Sequence, residues 1–382
     1  MEALPRKKVR GNVTDESSAE ESAKVSGKCT GQDLTYDVLR IIFKNLNGME
    51  LSSAAMVSRS WLEAANNEKR TRGPTHSIEH LTEHITMGRV KTQIIKQLRI
   101  KPVLGLFFPS NRIPLFETDC HCKVLPPNCN TITLGTYGIV IDNLEIENGV
   151  DEIVCAFLPE IPDVTIKTFA FGEKTVTEKN QSNSVDKYSE EIKQFLSTPQ
   201  KNSGISKCLL LFCVQRGRVP AIKITSSLKR CYAADELSVW GGVARELLVC
   251  NAKDKKNRRC GEFSSCVAVA LVGAMNTWSI VVDKHCKTKE LIEQRLRTFK
   301  SHTCLKKHSI GFMFACCARG QSMFKEWNVE SSIFKKLFPE VPLVGCFGDG
   351  EFGENSLPNE SSRKKRTWYH ETTTIFLIIT YG

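Results

Sequence analysis

The sequence predicts an α+β protein: a small helical unit over residues 31–72, followed by a large region built on mixed sheets. Three observations carry this reading. Apolar residues between 33 and 70 recur at helical spacing. Beyond residue 100, short unbroken apolar runs recur along the chain, the pattern of strands covered on both faces. Helical patterns fall between only some of those runs, near 288–300 and 322–337. At roughly 100–200 residues per domain, 382 residues make two or three units.

Residues 1–30 are rich in Lys, Glu, Ser and Gly with almost no aromatics, the composition of a disordered tail. Within them "PRKKVR" (5–10) has the form of a nuclear localisation signal. "DLTYDVLRIIFKNL" then sets Leu34, Val38, Leu39, Ile42, Phe43 and Leu46 on one helical stripe, which Gly48 breaks. "LSSAAMVSRSWLEAA" continues with Leu51, Ala55, Val57, Trp61 and Leu62 at the same spacing. A unit this short does not bury that much apolar surface by itself, so part of the stripe is expected to face a partner or the next domain. "RTRGPTH" (70–76) reads as a linker, and 79–98 as a helix with Leu81, Ile85, Ile94, Ile95 and Leu98 on its apolar face. Strands are expected at 103–108, 131–141, 152–158, 164–171, 207–214, 265–274, 277–283, 309–316, 343–347 and 373–380. The polar stretches 178–191, 251–260 and 353–367 read as exposed loops.

A chain of this length needs no disulfide staples, and many of its 16 cysteines sit inside apolar runs, as buried thiols do. With no apolar leader at the N-terminus, this implies a reducing compartment, cytoplasm and nucleus. The longest apolar runs fall far short of the ~20 residues of a membrane helix, so no membrane is expected. The net charge of +11 concentrates in "KDKKNRR" (253–259), "RKKR" (363–366) and 287–307. That is the pattern of solvated loops and one exposed helix face. Without a zinc finger or aromatic-basic interleaving, nucleic acid is not expected. "CHCKVLPPNC" offers Cys120, His121, Cys122 and Cys129 but lacks a CxxC pair, so no metal is assigned.

The helical unit resembles an F-box. The resemblance rests on Leu34, Val38, Leu39, Ile42, Phe43, Leu46 and Leu51, then "VSRSW" with Val57, Arg59 and Trp61. Thr35 stands where that family has proline, and Ser58 where it has cysteine. The C-terminal half is similar to the FIST domain, in which a strand ends in a cysteine and Arg-Gly before a helix and a glycine-rich segment. Here those positions are Cys316, Arg319, Gly320, Gly345, Gly348, Gly350 and Glu351, with Gly241 and Gly242 as a further family feature. The resemblance divides the chain into an F-box (31–72), a FIST N-terminal region (79–250) and a FIST C-terminal region (261–382). It implies a non-catalytic substrate-recognition subunit of an SCF ubiquitin ligase. The F-box residues would bind the Skp adaptor, and through it the cullin–RING ligase, and the FIST region would recruit protein substrates for degradation. FIST domains are also thought to bind small amino-acid-like ligands, so a sensor without a ligase role is the alternative.

At the second set of residues, "IGFMFACCARG" (310–320) could end in a reactive thiol, Cys316, activated by Arg319, or in a binding turn. Arg319 would suit a carboxylate and Glu351 a cationic group, together a zwitterion held over the exposed amides of 345–353. No cofactor is expected.

Overall fold

Three short helices open the described chain: α1 (Tyr36–Phe43), α2 (Gly48–Ala54) and α3 (Arg59–Thr71). The computed structural model describes residues 34–80, 98–115, 125–126, 128–147, 149, 151–172, 181–198, 205–233, 235–250, 261–357 and 368–382. The N-terminal tail, most of the expected helix at 79–98, Cys120, His121, Cys122 and the basic stretches at 253–259 and 363–366 lie outside these residues.

Gly48 does more than break α1. It opens α2, behind an Asn47 side chain that accepts from the amides of Met49 and Glu50 while Glu50 answers the amide of Asn47, a reciprocal capping box. Ser58 caps α3 by accepting from the amide of Trp61. Leu39, Phe43, Leu51, Ala54, Ala64 and Ala65 form the core of this unit, with Trp61 set edge-on to Phe43 at 5.4 Å.

The rest is two stacked mixed sheets with helices on the outer faces. The strands of the first, larger sheet are β1 (Thr75–His80), β2 (Pro102–Pro109), β3 (Asn130–Gly135), β6 (Glu152–Pro159), β7 (Val164–Gly172), β8 (Ser206–Val214), β9 (Ser238–Ala244), β10 (Glu246–Cys250), β11 (Glu262–Gly273), β15 (Glu351–Gly353) and β16 (Tyr369–His370). Their order is β1-β6-β2-β3-β10-β11-β8-β9-β15-β16, with β7 also on β11. The second sheet runs β12 (Asn276–Val282), β17 (Thr374–Tyr381), β13 (His308–Cys316), β14 (Leu343–Gly348), β4 (Gly138–Ile141) and β5 (Leu144–Ile146). The pairs β2–β3, β8–β9 and β13–β14 are parallel.

The largest core lies between the sheets. Leu210, Phe212, Trp240 and Val269 of one face Phe312, Phe314, Ile375 and Leu377 of the other. Outside the larger sheet lie α4 (Gln181–Leu196) and α5 (Arg218–Lys229), which bury Val185, Ile192, Leu196, Ile224 and Leu228. Outside the smaller sheet lie α6 (Lys289–His302) and α8 (Val329–Leu337), which bury Ile292, Leu296, Phe299 and Phe334. The short α7 (Gly320–Phe324) precedes α8. Strands β4 and β5, early in the chain, complete the late sheet, and β15 and β16, late in the chain, extend the early one. The N- and C-terminal regions therefore share both sheets.

Three expectations are corrected. The stretch 70–76 is no linker, because α3 runs to Thr71 and β1 begins at Thr75. The helix expected at 79–98 does not begin at Glu79, because Glu79 and His80 end β1, paired with Ile153 and Glu152. The polar stretch 178–191 is largely helix: α4 turns one apolar stripe to the sheet and leaves its charges outside.

Candidate functional site

The helical stripe read from the sequence is two faces. Leu39, Phe43 and Leu51 have no exposed surface and form the unit's own core, so they cannot touch a partner directly. Leu34, Val38, Ile42 and Val57 are exposed, and Leu46 and Trp61 half-buried. Ile41, Met49, Met56 and Leu62 are exposed as well, and the sequence reading missed all but the last. The signal was present. Val38, Ile41 and Ile42 stand at i, i+3 and i+4, a second stripe one residue round the helix from Leu39 and Phe43. Below them Leu46, Met49, Val57 and Trp61 line a groove of about 630 Å³, with the polar side chains Asn47, Glu50 and Ser53 at its margin. Outward-facing apolar side chains of this size, on a unit that already has a core, mark a protein-docking surface.

The second candidate set comes together at the C-terminal end of β13, but as packing. Arg319 is fully buried. It grips Glu330 with two hydrogen bonds, Nε to Oε2 at 3.0 Å and Nη2 to Oε1 at 2.8 Å, and donates to the carbonyls of Asp283, Thr372 and Cys286. Thr374 donates to the same Glu330. The expected carboxylate partner of Arg319 is thus internal.

Glu351 is equally enclosed. Its carboxyl accepts from the amides of Gly350 and Thr373 and from the Thr373 hydroxyl. Burial, then the neighbouring Cys316, push its pKa up to about 9, so it carries no charge for a cationic ligand at neutral pH. An Arg319–Glu351 clamp on a zwitterion is not what this geometry offers.

The glycines are explained by close approach. A Cβ on Gly345 would stand 1.8 Å from the carbonyl oxygen of Met313 on the parallel neighbour strand. On Gly241, at φ +147°, it would stand 1.9 Å from that of Leu211. Gly242 and Gly348 both admit the ring of Phe314, Gly320 lies against the Glu147 carboxylate and Gly350 against the Tyr369 ring. Cys316 is buried, and a hydrogen bond with Cys317, then burial, raise its thiol well above the ordinary range. The same bond lowers the pKa of half-buried Cys317. A thiol held protonated is a poor nucleophile, so nothing here activates Cys316. Cys129 is buried, its pKa raised to about 12 by burial alone.

Residues 32–72 match the F-box domain. An F-box is the module through which the substrate-recognition subunits of SCF ubiquitin ligases bind the Skp adaptor. Such subunits are in general non-catalytic. Beyond that module, the chain is 23% identical over 416 residues to F-box only protein 22 of Pongo abelii, covering 95% of this chain and 99% of the relative. It is likewise 23% identical over 390 residues to F-box only protein 22 of Homo sapiens, covering 91% and 93%. A shorter match of 94 residues, 34% identical, links 24% of this chain to 18% of the F-box/LRR-repeat protein At5g63520 of Arabidopsis thaliana. Among solved structures, a cyanuric acid hydrolase from A. caulinodans aligns over 81% of this chain and 99% of its own, at TM-score 0.35 and 8% identity, too loosely to bear on function.

Proposed function

We propose that this chain selects proteins for ubiquitination and proteasomal degradation, docking the Skp adaptor with the exposed face of its helical unit and holding the substrate on the two-sheet body, which resembles FIST domains. The observation that carries it is the division of labour within α1. One stripe is consumed by the unit's own core and the other stands outside, so the outer face can be lent to a partner without unfolding the helices. Each large apolar side chain moved out of water contributes roughly 1.5–3 kcal/mol, enough for Val38, Ile41, Ile42, Met49 and Val57 together to offset association costs. Catalysis then belongs to the ligase's other subunits, and proximity is what this chain supplies, by raising the substrate's concentration near activated ubiquitin. The cysteines among the described residues are free thiols, most of them buried, which supports a reducing compartment, cytoplasm and nucleus.

The test is capture of the purified Skp adaptor by the full chain, by an Ile41→Asp/Val57→Asp variant and by Phe43→Ala. Wild type should bind. The double aspartate variant should lose binding with its circular dichroism unchanged, since both side chains point outward. Phe43→Ala should lose binding together with helix, because removing a buried Phe costs about 3–5 kcal/mol. A wild-type chain that fails to capture the adaptor would sink the proposal.

A further inference from the structure

A second cavity lies where the F-box meets the two-sheet body. It measures about 660 Å³, within the range of small-molecule sites. Its walls come from α3, residues 99–101, the turn at 159–163 and the adjoining ends of β13 and β17. Six cationic side chains line it, Lys69, Arg70, Arg72, Arg99, Lys101 and Lys306, against two carboxylates, Glu160 and Asp163.

All three arginines are engaged, Arg70 donating to the Asn67 side chain at 3.3 Å. Arg72 pairs with Glu68 at 3.0 Å and donates to the carbonyl of Phe43, and Arg99 donates to that of Lys44. Lys69, Lys101 and Lys306 form no ion pair within 4 Å among the described residues. Burial lowers the pKa of Lys69, and the nearby Lys101 lowers it further, against partial relief from Glu160. Positive charge is crowded here beyond what the protein itself balances.

Tyr381 is an independent sign. It is 4% exposed, it lines the cavity, and its hydroxyl has no hydrogen-bond partner. A buried hydroxyl left unpaired is costly and rare. Its ring is held by contact with the His308 ring at 5.2 Å, and His308 is anchored to the carbonyl of Arg70 at 3.2 Å.

We propose that this junctional cavity binds a small, multiply charged organic phosphate, with Lys69, Lys101 and Lys306 taking its anionic oxygens and the Tyr381 hydroxyl donating to one of them. Ammonium groups act as point charges toward phosphate, and several of them around one space favour a ligand bearing more than one charge. The ligand would touch the F-box and the sheet body at once and tie them together. The cavity's lining shares no residue with the groove at Leu46, Met49, Val57 and Trp61, so it does not depend on adaptor docking.

The probe is inorganic tripolyphosphate, titrated by calorimetry into the full chain at about 0.15 M salt, where long-range surface attraction is screened. Saturable one-to-one binding is expected. Tyr381→Phe should weaken it about tenfold or more, the usual effect of losing a hydrogen bond to a charged group. The same variant, without ligand, should melt no lower than wild type, because the deleted hydroxyl bonds to nothing. Lys69→Ala/Lys101→Ala should weaken binding further. Absence of saturable binding, equal binding by wild type and both variants, or tighter binding of citrate than of tripolyphosphate would each overturn the proposal.

Discussion

Arg319 and Glu330 show how one residue's role turns on its surroundings. An arginine after a strand end is a natural hand for a ligand carboxylate, yet here both partners are fully buried and hydrogen-bonded to each other. Arg319→Ala should cost about 3–5 kcal/mol in urea denaturation, because it strands a buried carboxylate. Replacing both residues by methionine should cost clearly less than the single change, and a double variant as unstable as Arg319→Ala would refute the pairing argument. Glu145 makes a pH-dependent counterpart. Its Oε1 accepts from the amide of Ser331, its Oε2 has no partner, and burial, then the charge of Glu330, raise its pKa from 4.5 to about 7. With the folded value above the unfolded one, its contribution to stability is full below pH 4.5 and is lost as pH rises through 7. Glu145→Gln should therefore stabilise the protein at pH 8 relative to pH 5, by on the order of 2–3 kcal/mol at about 1.4 per pKa unit. An equal effect at both pH values would show that the carboxyl is not the titrating group.

At the scale of elements, much was legible. The runs at 103–108, 152–158, 207–214 and 309–316 became β2, β6, β8 and β13, since unbroken apolar stretches of that length belong to strands covered on both faces. The helix α4 was not legible, because three buried apolar positions in sixteen residues are too sparse to stand out among its charges. The short β1 was missed for a related reason: all but one of its residues are half-buried, without the alternation that marks a strand. The parallel pair β13–β14 adds a prediction. Gly345 faces Met313 so closely that Gly345→Ala has no room without separating the two strands. Its melting temperature should fall by several degrees or more, as expected for a loss of more than 1 kcal/mol, and an unchanged value would mean that the strands can part at little cost.

For the whole molecule, the F-box is fastened to the sheet body through a few backbone acceptors. The amide of Gly48 donates to Leu98, Arg99 donates back to Lys44, and Arg72, largely buried beside Glu68 and bonded to Phe43 within the unit, reaches across to the carbonyl of Arg99. Arg72→Ala should loosen this attachment by on the order of 2–3 kcal/mol. Hydrogen exchange would then show faster opening of residues 34–72 with β13 and β17 unaffected, whereas uniform protection would show that the junction rests on other contacts. The sequence by itself determined the class of the protein, its helical module and most of its strands, because helical period and apolar run length are local properties of the chain. Only the tertiary structure decided which side chains are available. Leu39 and Val38, one residue apart on α1, fall one in the core and one on the surface, and Arg319 is spent on Glu330 eleven residues downstream. The junctional cavity draws its cations from residues 69 to 306 and its orphan hydroxyl from residue 381. Burial and pairing depend on what the rest of the chain brings alongside a residue, and that is set by packing between segments distant in sequence.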